Sequence, residues 1–275
     1  MDGSIKAPTP MKKGFPLEFI YQLFALLLSV LIVHTVYVTV VRPAAAEIME
    51  QQAQAIAADP DYVPERSVYV LVRDFEQEAC FILLFWALAI MAFKASRGMR
   101  ERRLLEQTLM PVGEGISILP EDTREYSRPL QALPDVQRRF LLPKVLLTAL
   151  HRFRSTRDIQ SVATTVRELC EQEADRLESE LSMVRYIAWA IPSIGFIGTV
   201  RGIGEALAQA HKAVEGDITG VTDSLGVAFN STFIALVLSI VLMFLMHQLQ
   251  LMQERLSLDA QEYAEDNLIG KLRES

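Results

Sequence analysis

Two apolar stretches of the chain each gather small and hydroxyl-bearing residues onto one helical face. At 100° per residue, Ala188, Pro192, Gly195, Thr199, Gly202 and Ala206 fall within about 80° of one another. Ser224, Ala228, Ser231, Thr232, Ala235 and Ser239 fall within about 100°. Such a hydroxyl can accept a hydrogen bond from hydronium, coordinate sodium or meet an acid on another helix. Close packing is the competing use: small residues let membrane helices approach, as in Gly198-x-x-x-Gly202. A serine can also bond back to its own helix. Packing accounts for the glycines and alanines. Two matched hydroxyl stripes suggest in addition a wall facing something polar. Pro192 strips a carbonyl of its helical partner, so that carbonyl needs another donor or a cavity. Neither stretch holds an acid: no Asp or Glu lies between Met183 and Arg201 or between Ser224 and Leu245. A proton path inside a membrane needs a titratable group, so a partner has to bring it. Glu18 and Glu78 stand only at the edges of two other apolar blocks, and His34 reads as a residue satisfied near an interface.

The elements that must position these faces are membrane helices. The 275 residues are 51% hydrophobic, with a net charge of -7, and the apolar residues come in blocks. That mild acidity gives no reason to invoke nucleic acid. Leu17–Val41, Ala79–Phe93, Met183–Ala208 and Leu225–Leu245 approach or exceed the roughly 20 residues that cross a bilayer core. Block one is too long for a signal-peptide core of about 7–15 residues, despite Pro43-Ala44-Ala45-Ala46 after it. Block two is short, with Lys94 placed to snorkel at its end. Cys80 and Cys170 lie in unrelated blocks and predict no disulfide; the spacing of potential ligands predicts no metal site and no cofactor.

Basic residues orient the blocks. Lys94, Arg97, Arg100, Arg102 and Arg103 directly follow block two, and Lys6, Lys12 and Lys13 precede block one. The expectation is an all-α integral membrane protein of the bacterial inner membrane, with both termini cytoplasmic. Its segments are a cytoplasmic N-terminus (1–16), span one (17–41), a periplasmic loop (42–77) and span two (78–96). A cytoplasmic helical insert (97–182), span three (183–208), a periplasmic loop (209–223), span four (224–247) and a cytoplasmic C-terminal helix (248–275) follow. In the outer loop an Ala/Glu/Gln helix is broken by Asp59-Pro60-Asp61 and Pro64, and Ser67–Val72 reads as a strand or a lead-in to span two. In the insert, Pro111, Pro120, Pro129, Pro134 and Pro143 read as breaks, and Leu146–Ser182 as one long helix, either simply solvated or running on into span three.

The run Ala190-Ile-Pro-Ser-Ile-Gly-Phe-Ile-Gly-Thr-Val-Arg-Gly202, then Leu225-Gly-Val-Ala-Phe-Asn-Ser-Thr-Phe-Ile-Ala-Leu236, resembles the MotA/TolQ/ExbB proton-channel family over about 183–250. Four spans with a large insert look most like the flagellar stator branch, since TolQ and ExbB relatives have three. The resemblance implies a homopentamer around two copies of a single-span partner similar to MotB, TolR or ExbD. That partner would carry a membrane aspartate and a periplasmic domain of a kind that can bind peptidoglycan. Passing protons or sodium ions would turn one part against the other. Thr199 and Thr232 match the family's channel threonines, and Pro192 its proline before the glycine run, with Ser231 beside them on the ion path. Gly195, Gly198, Gly202, Ser224, Ala228, Ala235 and Ser239 would pack helices or face the partner; Arg97, Arg100, Glu101, Arg102 and Arg103 are candidates for cytoplasmic coupling. Arg201 departs from the family, which often has an apolar or aromatic residue there, and the outer loop is long for a flagellar stator. The driven machine could equally serve gliding, envelope energisation or phage defence. A passive membrane scaffold or receptor is the alternative reading. No nucleotide loop and no nucleophile–base arrangement points to an enzyme.

Overall fold

A computed structural model describes residues 17–59, 62, 63, 65–111, 113 and 116–274. The expected N-terminal segment 1–16, with Lys6, Lys12 and Lys13, and the breakers Pro60, Asp61 and Pro64 lie outside the described residues. The regular elements of the described chain are helices: α1 Leu17–Val36, α2 Arg42–Ala58, α3 Val68–Leu71, α4 Phe75–Leu105, α5 Thr123–Gln131, α6 Asp135–Arg138, α7 Leu141–Thr156, α8 Ile159–Ser179, α9 Ser182–Ala208, α10 Ala210–Val214 and α11 Thr219–Asn267. Four helical stretches, beginning at Glu18, Phe75, Ile159 and Thr219, are long and apolar enough to cross a membrane. This is a multi-pass membrane protein with four candidate spans.

The chain divides into two compact units, 1–90 with 191–238 and 91–190 with 239–275. In the first, α1 runs through a π-turn, Tyr37–Val41, directly into α2. Ala25, Ser29, Val33, Tyr37, Val41 and Ala45 are all buried, at an unbroken spacing of four. In an α-helix that spacing drifts by about 40° per step. The wider π-turn takes up part of the drift and keeps the row on one side. Outward from it, Phe24, Leu27 and Leu31 are 60–65% exposed, as a lipid-facing stripe must be.

The second unit has a conventional apolar core. α7 packs on α8 and α5, with Leu146, Leu150, Phe153, Val162, Val166 and Leu268 fully buried. Near the end of the chain, Ile118 pairs with Leu272 in an isolated parallel bridge, and Tyr263 Oη accepts from the amides of Leu109 and Met110 at 3.0 and 3.3 Å.

Three expectations are corrected here. Ser67–Val72 is not a strand: its centre is the short helix α3. The long helix expected over Leu146–Ser182 is two helices. Arg157 adopts the left-handed conformation (φ 56°), and the carboxylate of Asp158 caps α8 by accepting from the amides of Gln160 and Ser161. A turn at Glu180 and Leu181 separates α8 from α9. Pro129 and Pro143 are no breaks either. Pro129 lies inside α5, and Pro143 stands in the first turn of α7, where its missing N–H has no carbonyl to serve. The C-terminal extension of block four is helical as expected, through Asn267.

Candidate functional site: the α9–α11 helix pair

The glycines of α9 seat it on α11. A Cβ added at Gly195 would collide with the Ala235 methyl and sit 3.1 Å from Ser231 O. At Gly198 it would lie 2.5 Å from Ser231 Cβ, and at Gly202 2.7 Å from Ser224 O and 2.8 Å from Ala228 Cβ. The two small-residue faces drawn from the sequence therefore meet each other.

The serines of the stripe are consumed by that packing. Ser231, 1% exposed, donates back to Val227 O at 2.8 Å. Ser224 donates to Gly220 O at 2.8 Å and accepts from Gln209 Nε2 at 3.1 Å. Ser239 donates to Ala188 O at 3.3 Å. Ala188 is four residues before Pro192, so its carbonyl is the one that the proline leaves without an amide. The stranded carbonyl expected from the sequence thus has a partner: a hydroxyl of the neighbouring helix.

The two threonines behave differently. Thr199 Oγ1 and Thr232 Oγ1 are hydrogen-bonded to each other across the helix pair. Thr199 Oγ1 also lies 3.1 Å from Ala228 O, and Thr232 Oγ1 3.1 Å from Gly195 O. Both residues are half-buried. With one proton each, Thr199 can donate to Thr232 Oγ1 while Thr232 donates to Gly195 O, which leaves lone pairs on both hydroxyl oxygens. Those can accept from hydronium or an acid, or coordinate a small cation. They cannot store a proton at neutral pH.

Three acids, Asp74, Glu76 and Glu78, gather at the start of α4. Glu78, 5% exposed, has one carboxylate oxygen 2.6 Å from His34 Nδ1 and the other bonded by Arg42. His34, expected from the sequence to be satisfied, has its partner in this carboxylate. In a straight α-helix His34 and Arg42 would lie about 80° apart; the π-turn between them brings both within reach of one carboxylate. The second acid, Glu76, is held by Arg201 at 2.6 and 2.9 Å. Just outside the helix, Asp74 has an oxygen with no hydrogen-bond partner. Burial raises its pKa above the usual carboxylate value, against the opposing pull of Arg73 and Arg201. These contacts escaped the sequence reading because ion pairs link distant segments. A signal existed: Asp74-Phe-Glu-Gln-Glu78 abuts an apolar block, and Arg201 is the only cation between Tyr186 and Ala208.

Among the expected coupling residues, Arg100, Arg102 and Arg103 are exposed, and Arg97 is half-exposed beside Glu101 at 3.5 Å. Glu101 is instead buried at 7% exposure and accepts from the Leu141 amide at 3.3 Å. It supplies the anion at the start of α7, whose N-cap residue Phe140 offers no side-chain acceptor. Lys94 does not snorkel: it is 5% exposed and pairs with Glu180 at 2.9 Å. Among the described residues no cluster of His, Cys, Asp and Glu could hold a metal ion.

Two adjacent apolar helices, locked by glycines and bridged by one hydroxyl pair, define a membrane protein whose polar chemistry sits between spans. Residues 137–262 match the MotA/TolQ/ExbB proton channel family, and the chain carries a domain of that family. The matched stretch contains α7 to α10 and most of α11, including both threonines. That family consists of channels, not enzymes, and implies a proton channel of a stator or energy-transducing complex. No curated protein and no solved structure matches the chain.

Proposed function

We propose that the chain is the channel and stator subunit of a motor driven by ion-motive force. In this reading five copies surround two copies of a single-span partner of the MotB, TolR or ExbD kind in a bacterial inner membrane. The partner's aspartate carries the ion, proton in the first instance, past Thr199 and Thr232. Both termini and the 97–182 insert are cytoplasmic, and ion passage turns the ring or energises the partner.

One observation carries the reading. In a helix pair otherwise sealed by glycine and serine contacts, only Thr199 and Thr232 direct hydroxyls at each other across the interface. Neither helix has an acid in its apolar stretch, so a carboxylate from elsewhere completes the relay.

The test is to purify the tagged full chain from its native membrane and weigh the complex by native mass spectrometry. A co-purifying single-span protein with a membrane aspartate, at five to two, is expected. In proteoliposomes, Thr199→Val or Thr232→Val removes a hydroxyl at nearly constant volume and should cut proton flux about tenfold or more while the complex persists. A chain that purifies without such a partner, or valine variants with unchanged flux, would overturn the proposal in favour of a packing scaffold.

A further inference from the structure

The start of α4 is fastened to α9 by an ion pair at Arg201, two residues beyond Thr199. Arg201 donates through Nε and Nη2 to the two carboxylate oxygens of Glu76 at 2.6 and 2.9 Å, and through Nη1 to Glu205 at 2.8 Å. The Glu76 side chain is only 11% exposed. Its stem crosses Gly198: a Cβ there would be 3.2 Å from Glu76 Cγ and 2.5 Å from Ser231 Cβ. At Gly198, then, side chains of both α4 and α11 press on α9, and Thr199 is the next residue. A two-point Arg–carboxylate pair fixes orientation as well as distance, and partial burial keeps solvent from loosening it.

We propose that Glu76 and Arg201 are positioning residues for the Thr199 hydroxyl. The pair holds the α4 start over Gly198, and Gly198 holds α9 in register on α11. Thr199 Oγ1 consequently stays on Thr232 Oγ1 and Ala228 O. The inference rests on the proposed role of Thr199 in ion passage and adds to it the device that aims the hydroxyl. It gives the family-atypical Arg201 a use within its own subunit.

Proton flux through proteoliposomes holding the natively purified complex tests it, with assembly monitored by native mass. Arg201→Gln and Glu76→Gln should each reduce flux about tenfold, the scale of misplacing a reacting group by a fraction of an ångström. In a Thr199→Ala background Arg201→Gln should add nothing, because its effect passes through that hydroxyl. Exchanging the charges, Glu76→Arg with Arg201→Glu, should restore flux to within about threefold by remaking the link. If Arg201→Gln does not assemble, Arg201→Lys, which keeps the charge but not the two-point geometry, carries the same expectation. Unchanged flux in the single variants, full additivity with Thr199→Ala, or an exchange that assembles without conducting would each overturn the inference. If Thr199→Ala is itself silent, the channel reading fails; if Thr199→Ala is impaired and Arg201→Gln is not, only the positioning role fails.

Discussion

At Gly198 a single hydrogen atom decides whether two helices can meet. A methyl there would enter the space of Ser231 Cβ and Oγ, at 2.5 and 2.7 Å. Overpacking of this kind costs about 1–3 kcal/mol, against a helix-propensity gain of about 1 kcal/mol for alanine over glycine. Gly204, six residues along the same helix, has nothing within 4 Å of its added Cβ. Thermal unfolding of the detergent-solubilised chain should therefore separate them. Gly198→Ala should lower the midpoint, and Gly204→Ala should leave it unchanged or raise it by about 0.5–1 kcal/mol equivalent. Equal effects would mean that the close approach of α9 to α11 is absent in the purified protein. The serines teach a related lesson. Ser231 and Ser239 share a stripe with Thr232, yet their protons go to Val227 O and Ala188 O. Residue type and angular position put all three on one face, but only the position of neighbouring carbonyls distinguishes packing hydroxyls from the cross-helix pair.

At the scale of elements, helix ends are set by local chemistry that the sequence displays unevenly. The α7–α8 break falls at Ser155-Thr-Arg-Asp-Ile159. The Asp158 cap was available as a signal; the left-handed residue before it was masked because arginine, not glycine, occupies that position. An L-residue there costs about 1–2 kcal/mol. Arg157→Gly should consequently raise the unfolding midpoint by the equivalent of about 0.5–1 kcal/mol, whereas Asp158→Ala should lower it by about 1 kcal/mol. A destabilising Arg157→Gly would show that the break is not a strained turn. The apolar blocks, the small faces and the helical extension of block four were legible because each is periodic within one segment. The π-turn at Tyr37–Val41 was not, although the four-residue spacing from Ala25 to Ala45 is its trace. Its effect appears only when a second segment brings Glu78 between His34 and Arg42. Likewise Lys94 read as a snorkelling cation until Glu180, 86 residues later, came beside it.

For the whole molecule, the unsatisfied quantity is apolar surface. Within their most apolar windows the four candidate spans are only 28–33% buried by the chain itself. Phe196, Phe229 and Phe233 are 56–67% exposed. In water such a surface would be prohibitive at about 25 cal/mol per Å2; in a bilayer it meets lipid or other subunits at little cost. Charge then predicts an orientation for the spans. Arg97, Arg100, Arg102 and Arg103 cluster behind the second span, while the segment 42–77 before it balances Arg42, Arg66 and Arg73 with seven acids in Glu47, Glu50, Asp59, Asp61, Glu65, Asp74 and Glu76. Moving that basic cluster outward would oppose the membrane potential by about 2.3 kcal/mol per charge per 100 mV. Reporter fusions test the resulting topology. An export-dependent phosphatase should be active when fused after Asp59 and inactive after Leu119 or at the C-terminus, with a cytoplasm-dependent fluorophore giving the opposite pattern. Replacing the four arginines by glutamine should weaken this bias and yield mixed reporter signals at Leu119. Activity of the phosphatase after Leu119 in the unaltered chain would invert the topology. It would place the α7–α8 unit outside, where it could not couple ion passage to cytoplasmic machinery.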